Sequence, residues 1–193
     1  MDRGETAAAV LAALDECGDL ECTGWHRARW TQETLTALCK HGREHQFTPW
    51  ANSRVAQQYR NGGEWLYDCC WLDYQDDVLL AIPMAAECEW GSIDEIRDDF
   101  QKLLVSNAQV RVMICAAWCI DDDHQGQATA QQICDWVRDF TGTRDGDCYV
   151  LAAYQRQDNR FRSYRYTITA DGHGKPPVCH RVNMGRLDSS TSG

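Results

Sequence analysis

The chain has 193 residues, enough for one domain with a real core, and 44% of them are hydrophobic, 25% charged and 10% aromatic. A net charge of −10 and a pI near 4.9 oppose wholesale non-specific binding to nucleic acid, though not a local basic groove or a carboxylate cluster that binds a divalent cation. No apolar run approaches the roughly 20 residues of a membrane span. The start, Met1-Asp2-Arg3-Gly4-Glu5, lacks the basic and apolar regions of a signal peptide, so the expected location is cytoplasmic.

In chain order, residues 6–17 predict a helix with Val10, Leu11 and Leu14 on one side and Gly18 just past its end. A second helix is predicted over 31–41, with Thr31 as N-cap, Leu35 and Leu38 as its stripe and Gly42 as its stop. Residues 43–63, with Pro49 and Gly62-Gly63, read as an irregular connection. Aromatic and apolar residues over 64–72 predict a strand, 73–77 a turn, and 78–90 a second strand in which Pro83 marks a bulge or an edge position. Gly91-Ser92 opens a helix of Ile93, Ile96, Phe100, Leu103 and Leu104, with acids crowding its early turns.

Residues 110–118 predict a buried strand, 127–140 a helix, and 148–154 and 160–168 two further strands. The expected architecture is a single α/β domain over 1–175, with two or three layers and a mixed sheet. It has a helical N-terminal part at 1–60 and a core at 64–168, followed by a partly disordered tail at 176–193. The 11 cysteines are odd in number and several lie in apolar runs, so buried free thiols are expected rather than a disulfide framework. Cys179-His180 and Cys115-x3-Cys119 leave zinc as a lesser alternative.

Carboxylates are rare inside strands this apolar, because burying an unpaired charge is costly. Glu64, Asp68, Glu87 and Glu89 all sit there, and strand alternation puts Glu87 with Glu89, and Glu64 with Asp68, on common faces. If the two strands form a hairpin, all four acids project on one side of the sheet, where their mutual repulsion invites a hard cation such as Mg²⁺. A tight turn between Gln75 and Asp76 pairs Glu64 with Glu87 and leaves Asp68 nearer Pro83, about 13 Å from Glu87 along the strand and so too far to share a metal. Only a bulge near Pro83 or strong curvature closes that gap. The alternative is that the acids pair with Arg54, Arg60 or Arg97.

Asp68, an 18-residue gap and Glu87-x-Glu89 at the end of an apolar strand resemble the motif of the PD-(D/E)XK nuclease superfamily, with its restriction-endonuclease-like fold. The following helix and the strand at 110–114 extend the resemblance over about residues 64–116. It implies a mixed β-sheet core flanked by helices, Mg²⁺ (or Mn²⁺) held by Asp68 and Glu87, and hydrolysis of a phosphodiester. Two positions depart from the pattern: Tyr67 replaces proline before Asp68, and Glu89 occupies the lysine position, where it serves as ligand or base. Members of the superfamily that move the lysine onto the next helix point to Lys102. That residue lies about 145° from the centre of the helix's apolar stripe, an orientation that usually means a solvated face. Glu64 is a further ligand candidate.

Arg156, Arg160, Phe161, Arg162, Tyr164, Arg165 and Tyr166 make the last hairpin locally basic and aromatic. By parity Arg160, Arg162, Tyr164 and Tyr166 share a face suited to phosphate contact and base stacking, and the alternative is an edge strand guarded by charge. Arg160, Arg162, Tyr164 and Arg165 are therefore the candidate nucleic-acid contacts. The expected function is a Mg²⁺-dependent nuclease acting on DNA ahead of RNA. The alternative is an inactive module of the same fold that binds a protein partner or dimerises, using some of the eight tryptophans.

Overall fold

In the computed structural model, which describes residues 1–17, 27–51, 66–117, 126–157 and 160–182, the chain opens with α1, Arg3–Glu16. It starts earlier than its first apolar residue because Asp2 and Glu5 form a capping box: Glu5 N–H donates to Asp2 Oδ1 at 2.9 Å and Asp2 N–H to Glu5 Oε2 at 2.8 Å. Helix α2, Arg27–Glu44, likewise exceeds its expected bounds. Thr31 is therefore not its N-cap; its hydroxyl accepts the Trp90 indole N–H at 2.9 Å. Nor does Gly42 end the helix. A Cβ there would meet Trp71 Nε1 at 2.6 Å, so glycine is needed for close approach. Trp71 itself is fully buried and donates to Leu38 O at 2.9 Å.

The supposed irregular connection contains a strand, β1, Thr48–Ala51, whose Pro49 is tolerated because β1 lies at a sheet edge. Then follow β2, Cys69–Gln75, and β3, Val78–Glu89, joined by Asp76 and Asp77, both in the left-handed region (φ 49° and 64°). Two such residues make the turn that matches strand twist, and aspartate tolerates it better than most side chains. Helix α3, Ile93–Val105, begins at a Ser92–Glu95 capping box. Strand β4, Val110–Ala116, and helix α4, Gln127–Asp139, come next. Strands β5, Asp145–Gln157, β6, Arg160–Asp171, and β7, Val178–Val182, complete the described chain. The tail expected from residue 176 onward thus supplies an ordered edge strand, while residues 183–193 lie outside the described residues.

All seven strands form one sheet in the order β1-β2-β3-β4-β5-β6-β7. The β3–β4 and β4–β5 pairs are parallel and the remaining pairs antiparallel, so the sheet is mixed. Helices α1 and α2 cover one face through Val10, Leu14, Trp30, Leu35 and Leu38. Helices α3 and α4 cover the other through Ile96, Phe100, Leu103, Ile133 and Val137. Each such side chain, fully buried, contributes about 1.5–3 kcal/mol. The result is a three-layer α/β arrangement. Among the described residues no helix is long and apolar enough to cross a membrane.

Candidate active site

The β2–β3 register decides whether the acids meet, and it differs from the tight-turn expectation. The turn falls at Asp76-Asp77, one residue further along. Two irregularities, between the pairs at Asp73 and Tyr74 and between those at Trp71 and Asp73, each place one extra residue in β3. The second lies at Pro83, which has no N–H to give the ladder. Together these changes slide β3 so that Cys69 faces Ala86, and Asp68 comes next in line with Glu87 rather than with Pro83. Asp68 is not itself in a strand. Its Oδ2 accepts the Cys88 N–H at 3.0 Å, in the place a ladder carbonyl would otherwise take.

Glu87 projects to the α3 side of the sheet and is 2% exposed. Its Oε1 is buried without a hydrogen-bond partner, and the Lys102 ammonium stands 3.5 Å from that atom, an ion-pair distance rather than a well-formed hydrogen bond. Lys102 is half-exposed, as the helical wheel implies, yet its long stem carries the charge back to the site. Its Nζ also lies 2.8 Å from Asp99 Oδ1. Burial pushes the Glu87 carboxyl up to about 8, the Asp68 charge adds to the rise, and Lys102 offsets only part of it. For Lys102, burial pulls downward, but the Asp99 hydrogen bond and the Glu87 charge prevail and hold the ammonium above its ordinary range.

Asp99 is the site residue that sequence reasoning missed. Its signal was available: it lies three residues before Lys102 on the same helix, the spacing at which opposite charges meet. Tyr67 is also buried beside the site. Burial raises its phenol, a hydrogen bond with Ser106 lowers it, and the Glu87 charge raises it again. Arg111 fixes this wall, with Nη2 donating to Ser106 O at 2.9 Å and Nη1 paired with Asp147 at 3.0 Å.

Glu89 shares the face of Glu87 by parity, but its Oε1 accepts the Gly91 N–H in the turn into α3. Glu64, Arg54 and Arg60 lie outside the described residues, and Arg97 pairs with Asp94 on its own helix. Among the described residues no group of three or more His, Cys, Asp or Glu side chains is arranged to hold a metal ion. No protein-family model, curated protein or solved structure matches the chain.

The basic hairpin divides differently from its expected face. Tyr164 and Tyr166 are buried beneath α4, and Arg181 lies over the Tyr164 ring at 5.3 Å. Arg165 points the other way and is fully buried, ion-paired with Asp15 and donating to Leu14 O at the end of α1. It is a core residue, and neither it nor Tyr164 presents a surface to nucleic acid. Arg160 and Arg162 belong to β6, in a segment whose side chains lie outside the described residues. Cys179 and His180 are adjacent on β7 and so face opposite sides of the sheet, which prevents both from ligating one zinc ion. All cysteines among the described residues are free, and all but Cys179 are buried.

Proposed function

We propose that the chain is a Mg²⁺-dependent nuclease of the PD-(D/E)XK type, with the restriction-endonuclease-like fold and its centre at Asp68, Glu87 and Lys102. The observation that carries this reading is the bulged register that aligns Asp68 with Glu87 while Lys102 reaches the same carboxylate from the next helix. The strand–strand–helix–strand order of β2, β3, α3 and β4 supports it. Mg²⁺ keeps several waters and takes one or two protein carboxylates, so Asp68 and Glu87 would suffice as its ligands, and the buried Oε1 of Glu87, which lacks a hydrogen bond and faces the Lys102 ammonium at 3.5 Å, suits a cation. The ion would supply an activated water for phosphodiester hydrolysis.

Glu87 and Asp68 hold the cation, and Glu89 serves as a further ligand or base once released from the turn. Lys102, steadied by Asp99, stabilises charge developing on the phosphate. Glu64 remains a candidate outer ligand, Arg160 and Arg162 remain candidate phosphate contacts, and DNA is the preferred substrate. Purified protein incubated with Mg²⁺ or Mn²⁺ and single- or double-stranded DNA and RNA should cleave at least one of them. Asp68→Ala and Glu87→Ala should each abolish that cleavage; activity that survives both changes refutes the assignment.

A second reading, a non-catalytic module of the same fold, draws on Lys102 already serving as counter-ion to Glu87. It predicts no Mg²⁺ binding sensitive to Glu87→Ala.

A further inference from the structure

Helix α2 approaches strand β2 closely. Gly42 leaves room for the Trp71 ring, whose indole N–H donates to Leu38 O at 2.9 Å. The residues beside these two partners are thereby set against each other. Cys39 follows Leu38 on α2, and Cys69 lies two residues before Trp71 on β2, on the same buried face. Their sulfurs stand 3.9 Å apart, and both side chains are buried. The strand neighbours of Cys69 are Ala51 and Ala86, so neither holds the helix away with a bulky side chain.

We propose that Cys39 and Cys69 form a modification site, which a disulfide reagent converts into a cross-link between α2 and the sheet as the chain folds. The reagent is a small disulfide such as oxidised glutathione. In the still-open chain, one of the two cysteine thiolates attacks a glutathione sulfur, the glutathione S–S bond breaks, and one glutathione thiolate leaves. The other cysteine thiolate then attacks the protein sulfur of the mixed disulfide, and the second glutathione leaves as a thiolate. Each departing thiolate takes up the proton that a cysteine gave. Two electrons pass from the two cysteines to the reagent.

Burial sets the order of events. Cys69 is 0% and Cys39 1% exposed, so neither sulfur in the folded chain admits a reagent the size of glutathione, and exchange precedes the final docking of α2. Docking then selects the pair, because it holds the two sulfurs at a separation that closing the bond shortens by about 1.9 Å. Once closed, the cross-link is shielded from reductant until the domain opens. It joins residues 30 apart in sequence, which restricts the unfolded chain and so favours the folded one. The cross-link requires the fold alone, not a metal centre.

The test unfolds the full chain in urea with dithiothreitol and removes the reductant. One portion is diluted into a glutathione redox buffer to refold, and another is kept in urea with the same buffer. Free thiols are then blocked with N-ethylmaleimide under denaturing conditions, before non-reducing digestion and mass spectrometry. In the refolded chain a Cys39–Cys69 linked peptide should be the main product of both cysteines, whereas in urea Cys39 should be spread over several partners. Dithiothreitol should open the bond quickly in urea and slowly in the folded protein. Oxidation should raise the urea midpoint by roughly 1 M, a rise that Cys69→Ser and Cys39→Ala each abolish. Cys39 and Cys69 both carrying maleimide in the refolded chain would overturn the proposal. So would a link equally abundant in urea, or an oxidised midpoint no higher than the reduced one.

Discussion

The two faces of the sheet each bury an ionisable side chain, and they accommodate it in different ways. Under α1, the Arg165 guanidinium meets Asp15 and the carbonyl of Leu14. Those groups lie at the C-terminal end of a helix, where unpaired carbonyls and the dipole both favour a cation. Under α3, Glu87 has one buried oxygen without a hydrogen bond and a counter-ion on a half-exposed, flexible lysine. What distinguishes Arg165 is the Leu14 carbonyl, a backbone partner that the fold fixes in place, for its counter-ion Asp15 is itself 57% exposed. Glu87 has no backbone partner of that kind, only the side chain of Lys102, which leaves its carboxyl open to exchange a proton or a cation.

Removing Arg165 should have the largest effect. Arg165→Ala leaves a cavity and an orphaned helix-end carbonyl, and should cost roughly 3–5 kcal/mol in urea unfolding. Mg²⁺ binding per folded molecule should be unchanged. A neutral outcome would erase the contrast between the faces.

Glu87→Gln should act in the opposite direction and depend on pH. Burial pushes the folded carboxyl up to about 8, far above the ordinary 4.5 of a glutamate, so between those limits the unfolded chain ionises while the folded one stays protonated. Wild-type stability due to this group is therefore present in full at low pH and is lost as pH rises toward 8. The glutamine variant should match wild type near pH 4 and exceed it by a few kcal/mol near pH 9 without metal. Unfolding curves at several pH values, with a stability difference that does not vary, would contradict the buried acid.

Lys102→Met should change stability least. The side chain is 52% exposed, so solvent screening limits its ion pairs to below about 1 kcal/mol. The variant should still raise the pH at which Glu87 titrates, because its partial counter-ion is gone. Comparison with Lys102→Arg separates charge from position. A cleavage assay should show a far larger loss in Lys102→Met than its stability suggests.

Much of this arrangement was legible in the residues themselves. Acids within apolar runs marked Asp68, which proves to lie just before β2, and Glu87 in β3, and the amphipathic pattern from Ile93 placed Lys102 on a helix. Local signals did not resolve the register. Asp73 to Asp77 offered several turn centres, and the choice of Asp76-Asp77 with two extra residues in β3 depends on packing both faces of the hairpin. Gly42 misled because glycine ends helices more often than it makes room for a tryptophan. Arg165 misled for a related reason. A strand of alternating basic and aromatic residues reads as a surface, and only the arrival of α1, about 150 residues earlier in sequence, makes that arginine a core residue. Edge strand β7 was hidden by the flanking prolines and the polar tail.

The most direct measurement is calorimetric titration of the metal-free chain with Mn²⁺ at pH 7, in two buffers of different ionisation enthalpy. One binding event should appear with release of a proton, because binding requires Glu87 to ionise below its titration point near 8. Binding should be lost in Glu87→Gln and in Asp68→Asn. Equal binding by wild type and both variants, or binding with no proton released, would contradict a metal centre at Asp68 and Glu87.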